Sequence, residues 1–150
     1  MSIKTDIANT VVPTTTRSQR LLTVAAAVVA AVGGWVLIEG IGGVDLRAPA
    51  FDGSTASQDV GLGAVVFASL VAGVAAWGLL ALLERSIRRP RRTWTVFAVA
   101  GLIVSLGGPM SGTGIDPTHR GLLVVLHVIV AAVLIPLLYR TAATDRNARS

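Results

Sequence analysis

The 150-residue chain contains no cysteine. Disulfide bonds, thiolate nucleophiles and cysteine-ligated metals are therefore excluded. Charged residues are also scarce, at 14% of the chain against about 25% in an ordinary soluble domain. Hydrophobic residues make up 53%, and the mean hydropathy is +0.71. Too little polar sequence remains to cover a water-soluble fold, and these shortages predict a membrane protein.

Aromatic residues account for only 5% of the chain, so its apolar content is mainly Ala, Val, Leu and Gly. Small side chains allow helices to approach closely in lipid, where packing rather than the hydrophobic effect drives association. The composition therefore favours a bundle of closely packed helices.

Four apolar stretches are long enough to cross a bilayer, which takes about 20 helical residues. They run from about Leu21 to Ile41, Val60 to Leu83, Trp94 to Met110 and Gly121 to Tyr139. None of them alternates apolar with polar residues, as a membrane strand would. We therefore predict an all-α, integral membrane four-helix bundle at residues 20–140, with disordered cytoplasmic tails at residues 1–19 and 141–150. A cleaved signal peptide is the alternative for the first span, since "AAVGG" supplies small residues after an apolar run.

The distribution of lysine and arginine predicts the orientation of the chain. Of the thirteen basic residues, only Arg47 and Arg120 fall in the loops after the first and third spans. The other eleven lie in the two tails and in the central loop, which contains "ERSIRRPRR". Both termini and the central loop are therefore expected to be cytoplasmic, in a multi-pass membrane protein.

Three polar side chains within the spans are predicted to share one depth. At a rise of about 1.5 Å per residue, His127, Ser69 and Ser105 each lie roughly 4 Å to the outer side of the midplane. Glu39 lies higher, roughly 10 Å outward, and could line a shallow cavity beside Trp35. Polar groups in hydrocarbon usually face the bundle interior, so His127 is expected to point toward Ser69, Ser105 or a trapped water.

Two interpretations of this intramembrane cluster remain open. Coupled to Glu39, His127 could relay a proton or bind a cation. The simpler interpretation is an interhelical hydrogen bond that only stabilises packing, worth about 0.6 kcal/mol on average. The simpler one is favoured because a single histidine is a weak functional signal.

Other chemistry finds little support in the sequence. Neither intramembrane serine lies in a glycine-flanked nucleophile motif, so a catalytic Ser-His dyad is disfavoured. His127 is the only histidine within the spans, which disfavours haem ligation. The aspartates of the first outer loop are too far apart for a calcium loop, and no phosphate-binding fingerprint occurs. We predict no cofactor, no metal, no nucleic-acid partner and no enzymatic activity.

The arginine-rich central loop offers a second candidate site. Four of its arginines could contact anionic lipid headgroups, at about 1 kcal/mol per charge; they are Arg88, Arg89, Arg91 and Arg92. The commoner role of such a loop is to fix the topology.

A resemblance to a known family rests on three stretches within residues 60–137: "GAVVFASLVAGVAAWGLLALLER", "WTVFAVAGLIVSLGGP" and "LHVIVAAVLIP". In layout the chain resembles a family of small four-helix membrane proteins of unknown function from high-GC bacteria. The resemblance implies an inner-membrane four-helix protein but brings no activity, so no catalytic residue can be carried over. We therefore expect a structural or accessory component, packing with itself or with a larger membrane complex. The alternative is a transporter of a small solute, a cation or protons that uses Glu39 and His127.

Overall fold

The computed structural model describes residues 16–49, 57–111 and 115–142. Four long helices dominate it: α1 (Thr16–Trp35), α2 (Leu62–Ser86), α3 (Pro90–Ser111) and α4 (Pro117–Thr141). A π-helical segment, Val36–Ile41, extends α1. Two short antiparallel strands follow it, β1 (Arg47–Pro49) and β2 (Ser57–Asp59), with Ala48 opposite Gln58. We call the end of the bundle that carries these strands the ribbon side, and the end that carries the α2–α3 loop the arginine side.

The structure confirms an all-α bundle of four helices that are long and apolar enough to cross a membrane. The protein is accordingly a multi-pass membrane protein whose helices contact the bilayer. Large apolar side chains that face outward are consistent with lipid contact, among them Phe67, Val104 and Ile103, each at least 65% exposed.

The helix ends differ from the predicted spans by a few residues. The first helix begins at Thr16, so residues 16–19 of the predicted disordered tail are helical. Residues 1–15 and 143–150, where the tails were also predicted, lie outside the described residues. The two strands were not predicted either. Each has only three residues, "RAP" and "SQD", which is too short to show an alternating apolar pattern.

The first helix lies at the centre of the bundle, packed against α2 and α4, while α3 packs chiefly against α4. Gly73 allows the close approach of α2 to α1, since a Cβ built there would lie 2.8 Å from Val24 Cγ1. Gly34 plays the same part between α1 and α4, where its Cβ would lie 2.9 Å from Leu126 Cδ1. Small residues thus set the two closest helix pairs, as the composition predicted.

Two apolar clusters fill the bundle, one toward each end. The arginine-side cluster includes Leu80, Leu138 and Trp94, all of them buried. The ribbon-side cluster joins Ala31 of α1 and Leu123 of α4 to other buried apolar side chains. It reaches beyond the helices to Leu46, which is buried completely. The loop before β1 is therefore held by the bundle rather than only by its neighbouring strand.

Candidate functional site

His127 lies in the middle of α4 and is half-buried. Its Nδ1 lies 2.7 Å from the carbonyl oxygen of Leu123, one turn earlier in the same helix. A carbonyl oxygen can only accept, so the tautomer that makes this hydrogen bond donates from Nδ1. This contact of His127 lies within its own helix rather than between helices.

The two serines at the same depth also bond within their own helices. Ser69 is buried on α2, and its hydroxyl donates to Val65 O at 2.7 Å. Ser105 is exposed on α3, and its hydroxyl donates to Leu102 O at 2.7 Å. Hydroxyls within helices commonly satisfy themselves on such carbonyls. The structure therefore does not join His127, Ser69 and Ser105 through hydrogen bonds.

Glu39 belongs to a polar cluster on the ribbon side. Its Oε1 accepts from the backbone N–H of Leu46 at 2.9 Å, across the turn that leaves the π-helical segment. Gly43 lies within that turn at φ +64°, a left-handed conformation that glycine adopts without strain. Nearby, Trp35 Nε1 donates to Val60 O at 2.8 Å, and Val60 N donates to Leu46 O at 2.8 Å. We call these groups the ribbon clamp; they fix the start of α2 and the loop before β1 against α1.

A second cluster on the arginine side joins three helices, and we call it the arginine clasp. Arg20 of α1 is only 6% exposed. Its Nη2 lies 2.6 Å from Glu84 Oε1 of α2 and donates to Thr141 O of α4 at 3.0 Å. Arg20 Nε also donates to Thr141 Oγ1 at 3.2 Å. A buried guanidinium is tolerated only where it is paired and hydrogen-bonded, and the clasp supplies both.

The start of α3 is fastened to the end of α4 beside the clasp. Arg91 Nε donates to Ala142 O at 3.2 Å, and its guanidinium lies 5.5 Å from the centroid of the Tyr139 ring. Trp94 is buried, and its Nε1 donates to Ile135 O at 3.3 Å. The next residue, Pro136, has no N–H, so α4 lacks the regular bond from position 136 to the carbonyl of Ala132. Both contacts tie α3 to the rest of the bundle.

The four arginines proposed from sequence as lipid contacts do not behave alike. Arg88, Arg89 and Arg92 are exposed around the short connection between α2 and α3. Arg91 is half-buried and engaged with the end of α4. The exposed three are therefore accessible, whereas Arg91 is engaged in packing against α4.

A polar depression of about 320 Å³ lies on the ribbon side near the start of α4. Arg47, Asp116 and His119 line it together with Ser57 and Ile115. Asp116 caps α4 by accepting from the backbone N–H of Thr118 at 3.0 Å, and that bond lowers the pKa of its carboxyl group. Among the described residues, no three His, Cys, Asp or Glu side chains are grouped so as to hold a metal ion.

Sequence reasoning missed the arginine clasp because it used Arg20 and Glu84 only as markers of topology. The available signal was their position: each lies at the arginine-side end of its span, at a similar depth and with opposite charge. The described residues thus form one polar cluster at each end of an apolar interior.

The chain matches a family described as "Family of unknown function (DUF6069)" over residues 11–144. No curated protein and no solved structure matches it. Because the match covers most of the chain, the protein belongs to the DUF6069 family of unknown function.

Proposed function

We propose that this protein is a non-enzymatic accessory component of its membrane that assembles with copies of itself through α3. The observation that carries the proposal is the poor coverage of α3. Only 11% of its most apolar window is buried, against 22% for α2 and α4 and 28% for α1. A helix that leaves most of its length exposed is suited to a neighbour that completes its packing.

The residues that α3 exposes support a helical neighbour. Gly101, Ser105 and Gly108 are exposed and lie within about 60° of one another around the helix, beside the stripe that packs against α4. A Cβ built at either glycine meets nothing within 4 Å. Faces of small residues let two helix backbones approach closely in lipid, and a serine can add a hydrogen bond. We call these three residues the small face of α3.

The polar groups of the bundle favour this function over transport by Glu39 and His127. Glu39 accepts from the loop backbone, and His127 bonds to its own helix. The contacts of the described residues do not join the two side chains into a path. Assembly requires no such path.

The proposed location is the bacterial inner membrane, with both termini and the arginine side in the cytoplasm. Its support is the placement of all but two of the basic residues on that side. The exposed arginines Arg88, Arg89 and Arg92 would then face the anionic headgroups of the cytoplasmic leaflet. Labelling of single introduced cysteines at Arg88 and at Asp59 with a membrane-impermeant maleimide, in intact cells and in lysed cells, tests this orientation.

Native mass spectrometry of the full chain, extracted in its own membrane patch, tests assembly. We expect a homogeneous small oligomer for the wild type. Gly101→Leu fills the small face and should give monomers, without disturbing the monomer fold because a Cβ at this site has open space.

Gly78→Leu is the matched control, since Gly78 lies exposed on α2 with equally open space. It should leave the oligomer intact. A monomeric wild type, or an oligomer that tolerates Gly101→Leu, would overturn the proposal. A defined complex with a different polypeptide would retain an accessory role but refute self-assembly.

A further inference from the structure

A groove of about 610 Å³ opens on the ribbon side between the end of α3 and the start of α4. Its volume falls within the usual range of about 300–1,000 Å³ for small-molecule sites. The described lining residues are apolar except for one arginine: Met110, Ile115, Pro117, Arg120, Gly121 and Val124.

The single charge of the groove is fixed in position at its rim. Arg120 Nε donates to Ile115 O at 3.3 Å, and Nη1 donates to Met110 O at 3.2 Å. These bonds hold the guanidinium against the end of α3, in the first turn of α4. The predicted apolar span begins at the next residue, Gly121, and we therefore expect the guanidinium at the level of the lipid headgroups.

The polarity of the groove changes with depth. Val124 lies one turn after Arg120, about 6 Å farther into the hydrocarbon. Between them, Gly121 leaves the wall open, since a Cβ there would meet nothing within 4 Å. Met110 at the opposite wall is 63% exposed, so the groove opens toward the surrounding lipid. A cation at headgroup level above an apolar slot complements an anionic amphiphile.

We propose that this groove binds one anionic phospholipid of the ribbon-side leaflet, with its phosphate at Arg120 and an acyl chain along Gly121 and Val124. Charge complementarity selects the headgroup, and the apolar slot selects a lipid over a soluble phosphate. The site is independent of the proposed assembly through α3, because the small face does not line the groove.

Competition between two lipids tests the site. The purified full chain would receive equal amounts of phosphatidylglycerol and phosphatidylcholine with identical acyl chains, and retained lipid would be counted by native mass spectrometry. We expect the wild type to prefer phosphatidylglycerol and Arg120→Gln to lower that preference about five-fold, the effect of one arginine near the membrane surface. Arg120→Lys should keep most of the preference. Arg47→Gln, an exposed ribbon-side arginine, is the matched control and should leave it unchanged.

Filling the groove gives an independent variant that keeps the charge. Gly121→Leu should remove one retained phosphatidylglycerol per chain, whereas Gly78→Leu, at an equally open glycine on α2, should not. Equal lipid ratios for Arg120→Gln and Arg47→Gln would overturn the proposal. So would unchanged retention in Gly121→Leu, or loss of both lipids in equal measure.

Discussion

Breaking the arginine clasp should cost more stability than breaking any other ion pair among the described residues. The clasp pair, Arg20 and Glu84, has side chains only 8% and 19% exposed. Glu84→Gln removes the carboxylate but leaves the Arg20 charge buried, with Thr141 as its remaining described partner. Loss of one partner from a buried pair lowers the free energy of unfolding by about 3–5 kcal/mol. Because Glu84 is partly exposed, we expect a loss of about 3 kcal/mol for this variant.

The second pair of the described residues provides a matched control. Arg47 and Asp59 lie 3.3 Å apart on the strands, with side chains 52% and 77% exposed. Asp59→Asn should therefore cost less than about 1 kcal/mol. Reversible unfolding of the full chain in mixed micelles of dodecylmaltoside and SDS measures both free energies of unfolding.

The double variant Arg20→Met with Glu84→Met separates charge from packing. It should recover part of the loss, because no uncompensated charge remains in the interior. Equal losses of unfolding free energy in Glu84→Gln and Asp59→Asn would refute the reasoning. A double variant that is less stable than Glu84→Gln would refute it as well.

The remaining predictions concern helix packing, His127 and the cap of α4. Gly73→Ala should lower the free energy of unfolding by about 1–3 kcal/mol because its Cβ meets the stiff side chain of Val24. Adding Val24→Ala to this variant should restore the stability, and Gly78→Ala alone should leave it unchanged in the same titration. His127→Ala should lower the free energy of unfolding by less than about 1 kcal/mol. It should also leave proton flux into liposomes that contain the protein unchanged. A folded variant that abolishes a flux shown by the wild type would favour transport instead. The cap bond lowers the pKa of Asp116 on folding, so its stabilisation is present above the unfolded pKa and is lost as the pH falls through the folded value. The protection of amides at the start of α4 against hydrogen exchange, relative to their intrinsic rates at each pH, should fall in that acid range, and Asp116→Ala should abolish this dependence.

The spans could be predicted because each is a continuous apolar run, and hydropathy along one dimension is enough to find it. The rotation of each helix could not be predicted, because apolar residues surround every span and no polar stripe marks an outward face. Ser69 and Ser105 illustrate the difference. They are predicted to lie at the depth of His127, yet Ser69 is buried on the stripe of Gly73 and Ser105 is exposed on α3.

The fastenings at the two ends depended on pairings between distant residues. Arg20 and Glu84 are 64 positions apart, and Arg20 and Thr141 are 121 apart. Charge counting assigns such residues to a side of the membrane but does not identify their partners. The π-helical segment was likewise unpredicted, since "VLIEGI" reads as ordinary helix until Glu39 bonds to the loop that follows.

Disulfide cross-linking in native membranes tests the central claim, assembly through α3, most directly. The chain has no cysteine, so single cysteines introduced at Gly101, Ser105 and Gly108 can be compared without background. Val71→Cys, on the exposed surface of α2, serves as the control. Assembly through the small face predicts disulfide-linked dimers for the α3 variants and monomers for Val71→Cys under mild oxidation. Monomers throughout, or equal dimer yields at all four positions, would contradict it.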